Sequence, residues 1–92
     1  MVIITNDEQA FIWWRSNREQ GQILVSTNPP TIAYLTRHNT GCHHISGNPN
    51  NGDNWTINQA KICSEHGEEI ENWVRRTFGA TAQIHECHDC RG

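Results

Sequence analysis

The sequence predicts an α+β domain: a small antiparallel sheet of three to four strands with two helices, stapled by a cysteine-rich metal site. Three observations lead there. Two stretches carry apolar residues at helical spacing between acidic starts and glycine stops. Short β-branched runs lie between and after them. Four cysteines, Cys42, Cys63, Cys87 and Cys90, fall at the ends of segments that read as strands.

The first helix begins at Thr5-Asn6-Asp7-Glu8, where Thr5 and Glu8 have the spacing of a capping box and the acids suit the positive helix end. It runs to about Gln20, with Gly21 as a left-handed terminator. Ala10, Trp13, Trp14 and Asn17 share one side, Phe11 flanks it, and Arg15, Arg18 and Glu19 face water. Adjacent residues on a helix point about 100° apart, so Trp13 and Trp14 cannot both enter one core.

Gln22 to Ser26 is a β-branched apolar strand that Asn28-Pro29-Pro30 interrupts, because consecutive prolines cannot join a ladder. Thr31 to His38 alternates, with Ile32, Tyr34 and Thr36 on one face and Ala33, Leu35 and Arg37 on the other. The two runs pair across the proline loop. Residues 39–54 are rich in Asn, Gly and Pro and read as a long loop. Ala60 to Cys63 closes a third strand.

Ser64 caps the second helix, with Glu65, Glu68 and Glu69 in its first turns and Arg75 and Arg76 in its last, an order that complements the dipole. Ile70, Trp73, Val74 and Thr77 or Phe78 recur at the spacing of one buried stripe, and Gly79 ends it. Residues 80–86 form a last strand that delivers Cys87.

The whole chain has 92 residues, which suits one domain. A chain of this size buries only roughly 60–65% of the surface its unfolded form exposes. Just 35% of the residues are hydrophobic, and mean hydropathy is −0.73. Small domains with thin cores need a staple, either disulfides or a metal. No stretch reads as a signal peptide or approaches the ~20 apolar residues of a membrane helix. The expectation is a soluble cytoplasmic protein with no membrane partner, in a compartment that favours metal thiolates over disulfides.

Formal net charge is −3, which excludes a strongly basic nucleic-acid binder. Six of the seven basic residues are arginine, suited to forked contacts with phosphate or carboxylate. Arg15, Arg18, Arg37, Arg75 and Arg76 are therefore candidates for a local binding face.

Four thiolates brought together make a closed tetrahedral site of the kind structural zinc occupies, so Cys42, Cys63, Cys87 and Cys90 are the candidate ligands of a Zn2+ ion. His38, four residues before Cys42, and His66, three after Cys63, are substitute ligands. The alternative for Cys87 and Cys90 is a redox pair. Such pairs use a helix N-terminus to activate the first thiol, and only two residues follow Cys90 here. Hydrolytic zinc chemistry has no His-Glu-x-x-His or deaminase motif to carry it. A nuclease-like hydrolase would draw on His38, His43 and His44 as acid and base.

The strand pair leading to His38-x-x-x-Cys42, then Lys61-Ile62-Cys63, a helix with Trp73, and closing Cys87-x-x-Cys90 resemble a group of small, sparsely characterised bacterial domains, free-standing or attached to restriction-type nucleases. The resemblance covers roughly residues 20 to 90. In that group an arginine commonly follows the histidine, whereas here Arg37 precedes His38 and Asn39 follows it. The resemblance implies a zinc-binding accessory module inside a bacterial cell.

Two classes of function follow. One is a non-enzymatic zinc-stabilised module contacting a protein partner or nucleic acid. The other is a small enzyme, either a thiol-redox protein using Cys87 and Cys90 or a hydrolase using His38, His43 and His44.

Overall fold

A computed structural model of the chain describes residues 1–17, 20–40, 42, 56–57 and 59–87. Along it run β1 (Val2–Ile4), α1 (Glu8–Ser16), β2 (Gln22–Thr27), β3 (Thr36–Asn39), β4 (Gln59–Ser64), α2 (Gly67–Phe78) and β5 (His85–Glu86). The strands make one sheet in the order β1-β4-β2-β3-β5. Every neighbouring pair is antiparallel except β3 and β5, which run parallel at one edge. The class is α+β, as the sequence predicts, but the sheet has five strands rather than three or four. The additional one is β1. Val2-Ile3-Ile4 is a β-branched triplet too short to read as an element, yet it completes one side of β4 with Val2 opposite Cys63 and Ile4 opposite Lys61.

That strand displaces the start of the first helix. Asn6 turns the chain out of β1 at φ 54°, a conformation asparagine tolerates better than most residues. Asp7, not Thr5, then caps α1, its carboxylate accepting the Ala10 N–H at 3.0 Å. Glu8 is released from any capping box and instead accepts the Thr56 N–H at 2.6 Å and hydroxyl at 2.8 Å. The Thr56 hydroxyl in turn accepts the Asp7 N–H at 2.8 Å, and its carbonyl accepts the Asn6 N–H at 2.8 Å. Thr56 is fully buried, so every one of its polar groups is met by the helix start.

The helix also stops sooner than its periodicity suggests. Asn17 closes it, donating its side-chain amide to the Trp13 carbonyl at 2.7 Å. Gly21 has a different task from termination. A Cβ there would lie 2.6 Å from the Trp14 ring, so the bare backbone is what lets the indole pack down. The buried pair on α1 is Phe11 and Trp14, one turn apart, while Trp13 is 60% exposed.

The sheet separates two apolar clusters. Ile4, Phe11, Trp14, Ile23, Val25, Cys42 and Cys63 pack on the α1 side. Leu24, Leu35, Ala60, Ile62, Ile70 and Val74 pack on the α2 side. Successive side chains of β2 thus alternate between the clusters, and the two helices cover opposite faces. This accounts for the unbroken burial of residues 23–26 and 60–64 in the two central strands.

The second helix follows its sequence pattern, with Ile70 and Val74 buried and Trp73 packed edge-to-face on Phe78. Ser64 is the last residue of β4 rather than the cap. It accepts the His66 N–H at 3.0 Å, and His66 takes the cap position with no side-chain bond. The alternating run at 31–38 becomes strand only from Thr36, where it pairs with β2; Leu35 is buried while Ile32 and Tyr34 are exposed. The last strand contracts to two residues.

Gly79 ends α2 at φ 97° and ψ 169°, a region only glycine enters readily, although an added Cβ would meet nothing within 4 Å. Gly79→Ala is therefore expected to destabilise the fold by about 1–3 kcal/mol through backbone strain alone. Urea denaturation checks this; a loss no larger than that of an exposed mid-helix substitution would remove the strain argument.

Candidate metal centre

Sheet register decides which of the sequence-predicted ligands can meet. Residues directly opposite one another share a face, and one such row reads Val2, Cys63, Ile23, His38 from β1 across to β3. The row ends at the chain segment leaving β5. Glu86 pairs with Arg37, and the Cys87 N–H donates to the Arg37 carbonyl at 3.0 Å, which sets Cys87 beside His38. Cys42 returns to the same place by a tight turn after β3, its N–H donating to the Asn39 carbonyl at 3.1 Å.

The outcome is a group of three ligands, His38, Cys42 and Cys87, whose donor atoms all lie within 4.8 Å of one another and which can hold a metal ion. The His38 Nδ1 is 3.5 Å from the Cys42 sulfur, and the two sulfurs are 3.9 Å apart. Cys42 is buried against the α1-side cluster, and Cys87 and His38 are half-buried. Burial on one flank and solvent on the other suits an anchored ion.

Cys63 stands apart from this group. Ile23 lies between it and His38, and two strand spacings put the backbones about 10 Å apart. Its thiol is fully buried and donates to the Lys61 carbonyl at 3.7 Å. Burial pushes its pKa up to about 12. Position at a strand end, which nominated Cys63 in the sequence, does not tell neighbouring strands from next-nearest ones. His66 sits exposed at the start of α2, outside the three-residue group. Cys90, His43 and His44 lie outside the described residues.

Of the described candidate arginines, Arg15 lies on the α1 side, whereas Arg37, Arg75 and Arg76 share the α2 side, where Arg37 and Arg75 line one cavity. Arg15 is on α1, its guanidinium 5.4 Å from the Phe11 ring centroid. Arg75 and Arg76 are on α2, beyond the opposite side of the sheet, where both turn onto Asn72. Arg37, on the α2-facing register of β3, forms a two-point ion pair with Glu86, with Nε donating to Oε1 at 3.0 Å. Arg18 lies outside the described residues. The Arg37–Glu86 fork instead belongs to the metal centre's surroundings: it ties the residue before His38 to the residue before Cys87.

Sequence reasoning also passes over Lys61 as a site residue. The only lysine of the chain, it is 1% exposed within the apolar strand β4, and that setting was the available signal. Its Nζ donates to Gln59 Oε1 at 2.6 Å and sits 5.7 Å from the Phe11 centroid. Burial pulls its pKa down to about 8, against the opposing pull of Cys63 and Glu8.

Comparison with models of known families, with characterised proteins and with solved structures finds no match to this chain. Among the described residues no helix is long and apolar enough to cross a membrane.

Lys61 and Cys63 together shape alkaline stability. Between about pH 8 and the unfolded lysine value of 10.5, the unfolded chain holds a proton the folded chain has released, so stability rises with pH. From the unfolded cysteine value of 9.0 up to about 12, the folded chain keeps a proton the unfolded chain loses, so stability falls. Lys61→Met is expected to remove a gain of roughly 1 kcal/mol between pH 8 and 9, and Cys63→Ala to turn the flat stretch from 9 to 10.5, where the two slopes oppose, into a continued rise. Denaturation curves across that range provide the check; an unchanged slope in the Lys61→Met protein would contradict the assignment.

Proposed function

We propose that the chain is a non-enzymatic, zinc-stabilised cytoplasmic module that contacts a protein partner. The observation that carries the metal assignment is the spacing of the donor atoms. A tetrahedral zinc with bonds of about 2.3 Å to sulfur and about 2.05 Å to nitrogen separates two sulfurs by about 3.8 Å and a sulfur from a nitrogen by about 3.6 Å. The separations of 3.9 Å and 3.5 Å at Cys42, Cys87 and His38 are close to the edges of that tetrahedron. Cys90, in Cys-x-x-Cys spacing with Cys87, is the proposed fourth ligand, and His38 takes the place the sequence offered to Cys63. Three thiolates and an imidazole leave no open position for water or substrate, which makes the ion structural rather than catalytic.

Charge supports a protein over a nucleic acid as partner. The chain carries −3, and a three-thiolate zinc site adds about one negative charge more. Of its described arginines, Arg15 lies on the α1 side and Arg37, Arg75 and Arg76 on the α2 side, with Arg37 engaged by Glu86. Large apolar side chains meanwhile stand exposed, with Trp13 the largest. Exposed tryptophan is a favoured anchor in protein interfaces.

Metal analysis of the purified chain is expected to find one zinc ion per chain, with folding lost on chelation. Cys63→Ala should keep the ion, whereas His38→Ala and Cys87→Ser should lose it or bind it at least tenfold more weakly. A Cys63→Ala protein that lost zinc as readily as Cys87→Ser would refute the ligand set. Titration with a short DNA duplex is expected to show no salt-sensitive binding; affinity falling steeply with salt would instead make nucleic acid the partner.

A further inference from the structure

The metal centre also contains a pair of thiols poised to react with each other. Cys42 and Cys87 are 45 residues apart in sequence, yet their sulfurs approach to 3.9 Å, and neither is in a disulfide. Cys87 is half-buried and reachable from solvent, while Cys42 is 2% exposed behind it. The remaining described thiol, Cys63, is separated from them by the Ile23 row. Such an arrangement has one accessible sulfur and one sheltered resolving sulfur, the disposition that favours a disulfide over deeper oxidation.

We propose that Cys42 and Cys87 are a site of reversible oxidation by peroxides, in which a Cys42–Cys87 disulfide replaces the metal as the link between β5 and the end of β3. The inference rests on the zinc reading for what is displaced and on the sulfur geometry for which bond forms. The Cys87 sulfur attacks one peroxide oxygen, the O–O bond breaks, and the leaving hydroxide takes a proton to become water. Cys87 is left as a sulfenic acid. The Cys42 sulfur then attacks the Cys87 sulfur, forming the S–S bond and expelling a second hydroxide, which also becomes water. Two thiolates, one peroxide and two protons thus give one disulfide and two waters, with two electrons passing from sulfur to oxygen. A zinc ion held there would lose two thiolate ligands together and be released, since a disulfide is not a thiolate donor. The strand stays tethered, because the new bond spans the same two points.

The test uses the full chain, zinc-loaded and treated with hydrogen peroxide. Zinc release is followed with a chromophoric chelator, and crosslinks are mapped by peptide mass spectrometry without reduction. The expected result is one zinc released per Cys42–Cys87 crosslink, reversal by dithiothreitol, and an oxidised protein that keeps more native circular dichroism than the reduced, chelated one. Cys63→Ala should behave as the wild type does, and Cys42→Ser should form no such crosslink. A dominant Cys87–Cys90 disulfide, or a Cys42 that still alkylates fully after zinc has gone, would overturn the proposal. A protein that holds no zinc beforehand but still forms Cys42–Cys87 would refute the metal reading and support the thiol pair.

Discussion

A short parallel ladder holds the last strand to the sheet, flanked by the bonds from His85 N–H to the Leu35 carbonyl and from Cys87 N–H to the Arg37 carbonyl. Each such bond contributes on the order of 1 kcal/mol net, no more than the entropy lost in ordering the residue that makes it. Everything else about β5 supplements that pairing. Ala82 and Ile84 pack against the α2-side cluster on the approach. The Arg37–Glu86 fork grips the strand itself, and Cys87 joins Cys42 and His38 just past it. The candidate ligands stand where the sheet is weakest.

The rest of the molecule shows why so few residues must do so much. A sheet covered on both faces needs apolar side chains in both directions along its central strands, and only 35% of this chain is hydrophobic. The supply is concentrated in β2 and β4, which are buried throughout, and runs out toward the edges. Even β4 must bury a lysine, with Gln59 and the Phe11 ring as its surroundings. Edge strands of three and two residues are what remains, and polar devices hold down the segments beside them. The Thr56 lock on the start of α1 is one, and the Arg37–Glu86 pair is another.

The sequence made some of this legible and hid the rest for identifiable reasons. The second helix is clear because Ile70, Trp73 and Val74 keep strict spacing between acidic and basic ends. The central strands are clear because β-branched runs there are uninterrupted. The first helix misleads at both ends. Thr5 and Glu8 have capping spacing, but β1 occupies the residues before Asn6, and Gly21 serves the Trp14 ring rather than the helix terminus. At the candidate metal centre, spacing and position nominate Cys42 and Cys87, with His38 as a substitute. That His38 rather than Cys63 lies beside them depends on strand order. The sheet runs β4-β2-β3, and only that order reveals that Ile23 stands between the two. Pairing order depends on contacts distant in sequence, which local pattern does not encode.

The sheet order has a mechanical meaning as well. The first and last strands of the series are its two outer edges, four strand spacings apart, or about 19 Å. Tension drawn across the sheet through β1 and β5 acts perpendicular to the strands. It loads the ladder one hydrogen-bonded pair at a time, as a zip opens, rather than sharing the load along a strand. On the β1 side three residue pairs meet that load. On the β5 side the ladder is shorter still, and the Arg37–Glu86 ion pair is the described link between side chains that resists the seam's running.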